Sequence, residues 1–97
     1  MCGILGIYSK RIINKKLFSI ALKSLKHRGP DETKKINKRN FAVGFNRLSI
    51  IGVNNYHSIQ PIEDNNYIIT FNGEIYNYKE IAKNLNLNNS EAKSDTF

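Results

Sequence analysis

The sequence predicts an α+β fold of antiparallel strands and packed helices, and three observations predict it. The run Cys2-Gly3-Ile4-Leu5-Gly6-Ile7-Tyr8 is apolar and β-compatible. Between Lys16 and Lys26, the residues Leu17, Phe18, Ala21, Leu22 and Leu25 recur at spacings of three and four, the period of an amphipathic helix. Tyr67-Ile68-Ile69-Thr70-Phe71 is strongly β-prone and runs into Asn72-Gly73, the strongest short-range hairpin signal.

The elements follow in chain order. The first strand is short and buried, and it ends at the polar break Ser9-Lys10-Arg11. Its glycines, Gly3 and Gly6, leave room for another backbone or a ligand. The helix from Lys16 must pack on a sheet, and it stops before His27-Arg28-Gly29-Pro30-Asp31, where the residue preceding proline is pushed out of the α region. The stretch after it reads as turn-rich. In Phe41-Ala42-Val43-Gly44-Phe45-Asn46-Arg47, alternation puts Phe41, Val43 and Phe45 on one face of a strand, with Arg47 ending that row. Leu48 to Ile51 continues extended, and Gly52 to Gln60 reads as a loop ending at Pro61. After the Asn72-Gly73 turn, Glu74-Ile75-Tyr76 is expected to form the returning strand. Asn77 with Glu80 three residues on makes a capping box, opening a helix whose Tyr78, Ile81, Ala82 and Leu85 share one face. From Asn86 to Lys93 the chain is polar and is expected to be poorly ordered.

Composition bounds the function. Ninety-seven residues, 40% of them hydrophobic, suit one small domain near the lower end of sizes that close a core. There is no internal repeat. No run approaches the roughly 18 to 20 apolar residues of a membrane span, and Lys10, Arg11, Lys15 and Lys16 stand where a signal peptide would be apolar. A cytoplasmic setting is expected, without a membrane partner. The net charge of +7, with eleven of fifteen Lys and Arg between Lys10 and Arg39, raises a nucleic-acid reading. No zinc-ligand spacing, aromatic RNA-binding signature or helix-turn-helix pattern accompanies it. A solvated basic surface is the better account, and no nucleic-acid partner is expected. Two isolated histidines, His27 and His57, and one cysteine make no metal site.

The chemistry centres on Cys2, the only cysteine. Loss of Met1 would put a thiol and a free α-amine on one carbon. A free thiol titrates near about 8.5 and an α-amine near about 7.7 to 8.0, so the amine is partly unprotonated at neutral pH. Nucleophile and base then belong to one residue, and no histidine is needed. A lone cysteine near a chain start carries no such meaning by itself. The rest of the sequence supplies it.

Taken together, Met1-Cys2-Gly3-Ile4, His27-Arg28-Gly29-Pro30-Asp31, Arg47-Leu48-Ser49-Ile50, Gln60-Pro61, Asn72-Gly73-Glu74-Ile75-Tyr76-Asn77 and Ser94-Asp95 resemble the glutaminase domain of asparagine synthetases. The motifs stand in that family's order at compatible spacings, across essentially the whole chain. The resemblance implies a class II glutamine amidotransferase with the N-terminal-nucleophile hydrolase fold, in which antiparallel sheets are sandwiched between helices. It reaches the first half of that domain, so residues 1–97 are expected to form a partial amidotransferase domain lacking the synthetase domain. This chain departs from the family at Gly44-Phe45-Asn46, where a Gly-His stretch is usual, and at Gly52, where an aspartate is usual. Ser94-Asp95-Thr96-Phe97 also lacks the more usual acid after the threonine.

That resemblance assigns roles. Cys2 would attack the side-chain amide carbon of glutamine, with the Asn72 side-chain NH₂ and the Gly73 backbone N–H donating to the oxyanion. Arg47 would grip the substrate α-carboxylate, a task for a planar fork that lysine cannot copy. Glu74 and Asp95 correspond to acids near the α-ammonium, and the backbone of Leu48 and Ile50 lines the same pocket. His27-Arg28-Gly29-Pro30-Asp31 would pin a loop near the nucleophile. The implied partners are glutamine and a synthetase domain or subunit that uses the ammonia. No cofactor is implied for the glutaminase step, with ATP and Mg expected only in the synthetase domain. Two alternatives stand beside this: the glutaminase part of another class II amidotransferase, or a truncated non-catalytic domain. In the latter, uncovered sheet edges would favour self-association.

Overall fold

The computed structural model describes residues 2–49 and 59–88. Its larger sheet has three antiparallel strands in the order β1-β3-β2, where β1 is Gly3–Tyr8, β2 is Glu32–Asn37 and β3 is Phe41–Arg47. Strand β3 lies in the middle, pairing with β1 from Gly3↔Asn46 to Tyr8↔Phe41 and with β2 from Glu32↔Arg47 to Asn37↔Ala42. Both of its edges are therefore occupied, and Ala42 to Asn46 are all buried. Among the described residues the architecture is α+β, with small antiparallel sheets and two α-helices.

Strand β2 is a difference from the sequence reading, which placed its lysines in a turn-rich stretch. Glu-Thr-Lys-Lys-Ile-Asn carries little apolar patterning. What makes it a strand is β3, whose second edge would otherwise present unpaired backbone groups. The charged side chains suit an edge position, where Lys34 and Lys35 remain exposed and discourage further strand addition.

Helix α1 spans Lys15–Ser24 and continues after Leu25 into one turn of 3₁₀ helix, Lys26–Arg28. Asn14 is its N-cap, with Oδ1 accepting the Leu17 N–H at 3.0 Å, which satisfies one of the donors that every helix start leaves free. Of the expected apolar face, Phe18 and Leu22 are buried, whereas Leu17 is 62% exposed, because the sheet meets only the narrow stripe centred on residues 18 and 22. Leu22 lies directly on Gly44, where a Cβ would stand 2.4 Å from Leu22 Cδ2. With Ile13, Ala42 and Leu5 these residues form the core. Full burial of a leucine such as Leu22 contributes roughly 1.5 to 3 kcal/mol.

Asn46 ties the layers together. Fully buried in β3, it donates from Nδ2 to Leu22 O at 2.8 Å and accepts the Thr33 hydroxyl at 2.7 Å. One side chain thus joins the end of α1 to β2.

The second sheet is the short hairpin of β4, Ile62–Glu63, and β5, Ile68–Ile69. Its turn is built on Asp64, whose Oδ1 accepts the N–H groups of Asn66 and Tyr67, each at 2.8 Å. Those two bonds hold the Asp64 carboxyl below its ordinary value. The expected hairpin at Asn72-Gly73 is not formed, and Glu74 to Tyr76 is not a strand. The Tyr67 to Phe71 run pairs backward across the Asp64 turn, and beyond it the chain's polar groups find other partners: Phe71 N–H donates to Gln60 Oε1, and the Asn72 side chain donates to the backbone of Cys2.

Helix α2, Tyr78–Asn84, has Asn77 at its N-cap, but no side-chain capping bond forms there, so the expected capping box is absent. Its far end is closed instead. Asn86 adopts a left-handed φ of 55°, Asn86 N–H bonds to Lys83 O and Leu87 N–H to Ala82 O, the pattern of a Schellman motif. Only Ala82 of the predicted face is buried.

Candidate active site

Cys2 is half-buried at the entrance to β1, and residues distant in sequence converge on it. The Leu48 N–H, 46 residues away, points at Cys2 Sγ with an N···S distance of 3.4 Å. Asn72 Nδ2, 70 residues away, donates to Cys2 O at 3.4 Å. Arg28 Nε donates to the same carbonyl, also at 3.4 Å. The nucleophile candidate, an amide side chain and a backbone N–H thus share one corner of the molecule. The Asn72 amide rests on the Cys2 carbonyl; acyl transfer at a thiol calls for donors of this kind nearby, since attack on a carbonyl makes an oxyanion that must be met by preorganised donors.

Gly73 follows Asn72 on the exposed surface. A Cβ there would meet Phe71 Cζ at 2.7 Å, so the ring behind the turn leaves little room for a side chain. Glu74 is exposed and makes no hydrogen bond or ion pair with a described residue. Ile50 and Asp95, the other two expected substrate contacts, lie outside the described residues, as does His57.

Arg47 ends β3 as expected, and its guanidinium is turned toward Glu32, with Nη1 3.6 Å from Glu32 Oε2. The two are cross-strand partners in the β2–β3 ladder. With Phe45, Lys34, Ile59 and Gln60 they line a shallow cleft, whose walls do not include Cys2, Asn72 or Gly73. Arg47 therefore faces an acid of its own chain.

The segment from Gly29 to Asp31 lies against the backbone that follows β3. A Cβ on Gly29 would stand 2.1 Å from Asn46 O, an approach that only glycine permits. Asp31 N–H donates to Arg47 O at 3.1 Å, and Asp31 Oδ2 accepts the Ser49 N–H at 2.6 Å. His27 is exposed, with Nδ1 3.0 Å from Ser24 O, and takes no part in this corner.

Residues 1–96 match the family model described as a glutamine amidotransferase domain. The chain belongs to that family. Its amidotransferase sequence is 38% identical over 102 residues to asparagine synthetase (glutamine-hydrolyzing) 1 of Bacillus subtilis, covering 100% of this chain and 15% of that protein. It is 37% identical over 90 residues to a Schizosaccharomyces pombe protein named probable asparagine synthetase (glutamine-hydrolyzing), covering 88% of this chain and 16% of that one. Against asparagine synthetase (glutamine-hydrolyzing) 2 of Oryza sativa it is 31% identical over 100 residues, covering 98% and 17%. The amidotransferase chain thus spans about a sixth of the length of these relatives. No solved structure matches it significantly. Among the described residues no helix is long and apolar enough to cross a membrane, and no cluster of three His, Cys, Asp or Glu side chains could hold a metal ion.

One contact of a candidate site residue escaped the sequence reading altogether, and two others were anticipated only in outline. Glu32 as the partner of Arg47 follows only from the register of β2, a strand the sequence did not announce. Asp31 was part of a recognised motif, but its bonds to residues 47 and 49 depend on the chain folding back over β3. Leu48 is expected to line a substrate pocket with its backbone, and the structure adds that its N–H is directed at the sulfur.

Proposed function

We propose that this chain hydrolyses glutamine to glutamate and ammonia, with Cys2 as nucleophile, and that the ammonia serves asparagine synthesis by a synthetase domain or subunit. The observation that carries the reading is the convergence of the Cys2 thiol, the Leu48 N–H and the Asn72 amide, in a chain whose family uses glutamine.

With Met1 removed, the α-amine of Cys2 takes the thiol proton as sulfur attacks the side-chain amide carbon. The tetrahedral oxyanion is met by Asn72 Nδ2 and the Gly73 N–H. Nδ2 now rests on Cys2 O, and a short side-chain rotation would deliver it. Collapse of the intermediate breaks the C–N bond, the α-amine returns the proton to departing ammonia, and a thioester to Cys2 remains. Water cleaves it to glutamate and restores the thiol. Arg47 holds the substrate α-carboxylate, the Leu48 and Ile50 backbone lines the pocket, and Glu74 with Asp95 faces the α-ammonium. No cofactor enters these steps; ATP and Mg belong to the synthetase reaction. The reading carries with it the N-terminal-nucleophile hydrolase architecture, for which the α1-covered sheet would supply one layer, and a reducing, cytoplasmic setting.

Replacing Cys2 by alanine tests the assignment. Glutamate release from glutamine is expected to vanish, and activity equal to wild type would reject the nucleophile. The intact mass supplies an independent check, because retention of Met1 would leave the thiol without its amine.

A further inference from the structure

We propose that Asp31 is a positioning residue that holds the Leu48 N–H on the nucleophilic sulfur. The carboxylate accepts the Ser49 N–H at 2.6 Å while the Asp31 N–H donates to Arg47 O at 3.1 Å, so one residue grips the backbone on both sides of Leu48. Arg47 O and the Leu48 N–H belong to one peptide plane, so holding the backbone on both sides orients that N–H, which points at Cys2 Sγ, 3.4 Å away. The clasp is itself anchored. Gly29 is packed against the Asn46 carbonyl, and Arg28 reaches the Cys2 carbonyl at 3.4 Å, so the loop carrying Asp31 is referenced to the same residue whose sulfur it serves.

The chemistry follows from where charge moves. When sulfur is the attacking or leaving atom it carries negative charge, and an N–H already aimed at it meets that charge without reorganisation. Leu48 occupies an irregular stretch after β3, with no ladder of its own to fix its amide. Asp31 replaces the missing ladder. A neutral amide at the same position would still accept from Ser49, so the role belongs to the acceptor oxygen and only partly to its charge.

The consequence for catalysis rests on the Cys2 reading, and the test separates the two. In the Asp31→Ala protein, alkylation of Cys2 by iodoacetamide at pH 7 is expected to slow by roughly five- to tenfold, the change that one hydrogen bond of ordinary net strength makes. Asp31→Asn should recover the rate to within about threefold, since the amide oxygen can take the same bond. An alkylation rate in Asp31→Ala within twofold of wild type, or faster, would overturn the clasp. Amide hydrogen exchange on the unaltered protein gives a readout that needs no variant. The Ser49 N–H is expected to exchange at least tenfold more slowly than in a free peptide, and exchange at the free-peptide rate would overturn the proposal equally. If glutamate release survives Cys2→Ala, the nucleophile assignment fails whatever Asp31 does. If Cys2 is required and Asp31→Ala alkylates normally, the clasp fails alone.

Discussion

If Arg47 holds the substrate α-carboxylate, as proposed, glutamine must displace an internal competitor to reach it, and Glu32→Gln measures how strong that competitor is. In the free protein Arg47 Nη1 stands 3.6 Å from Glu32 Oε2, with the side chains 14% and 39% exposed. Two unit charges about 4 Å apart interact by about 1 kcal/mol at the permittivity of water and about 4 kcal/mol at that of a protein surface. Exposed pairs yield a net of about 0.2 to 1 kcal/mol once desolvation and side-chain ordering are counted, and the half-exposed Glu32 keeps this pair close to that range. A substrate carboxylate arriving at Arg47 loses that amount and also meets the like charge of Glu32. Removing the charge at residue 32 therefore favours the anion, and the shape is kept because glutamine is isosteric with glutamate. The KM for glutamine in a glutamate-release assay should fall by up to about fivefold, with kcat little changed because the bond being broken is remote from Arg47. The gain should shrink as ionic strength rises. An unchanged or raised KM would refute the reasoning, since Glu32 would then be orienting Arg47 and not competing for it.

Three further outcomes are expected. Asn72→Ala should lower kcat for glutamate release by roughly 100- to 1,000-fold with a smaller effect on KM, and a loss under about tenfold would remove Asn72 from the oxyanion site. Gly29→Ala, whose new Cβ would meet the backbone oxygen of Asn46 at 2.1 Å, should destabilise more than Gly44→Ala, whose Cβ would meet the movable end of Leu22 at 2.4 Å. The second falls in the ordinary overpacking range of about 1 to 3 kcal/mol, and the first should exceed it, lowering the Tm by more than about 10 °C; the reverse order in thermal melts would contradict the packing described. For Asp64, hydrogen bonds from the Asn66 and Tyr67 N–H groups place the folded carboxyl below its ordinary 3.8. The support it gives the β4–β5 hairpin is thus present above that value and lost as pH falls through the lower, folded one. An NMR titration of the Asp64 carboxyl should show a midpoint under 3.8, and one at or above it would contradict the turn.

Much of the scaffold could be read directly because its determinants are local. Strand β3 and helix α1 each carry their own hydrophobic period, set by backbone geometry alone. Strand β1 is legible as an apolar, β-compatible run, but it is not the buried strand expected, since only Gly3 is buried and Ile4, Ile7 and Tyr8 are exposed at the sheet edge. Strand β2 has no hydrophobic period. It exists because β3 offers an edge, so its formation depends on cross-strand neighbours eleven and fifteen residues further on, Phe45 and Arg47, as much as on Lys34 and Glu32 themselves. The Asn72-Gly73 turn failed as a hairpin for the complementary reason: a strong local preference yielded when the Asn72 side chain found Cys2 O and the preceding strand was already paired across Asp64. The Asn77–Glu80 capping box failed likewise, while the end of α2 was closed by Asn86, whose left-handed backbone no hydrophobic pattern reports.

The residue chain by itself determined the types of chemistry available: one thiol, one amide-bearing turn, one arginine at the end of a strand, and motifs ordered as in the glutamine amidotransferase family. Tertiary structure decided which of these groups meet. Cys2 and Asn72 come together across 70 residues, Glu32 faces Arg47 through strand register, and Asp31 closes on residues 47 and 49 because a glycine lets one backbone lie on another. Side-chain chemistry is a property of single residues and is written in the sequence, whereas distance between residues far apart is a property of packing, and packing is settled only when the whole core closes.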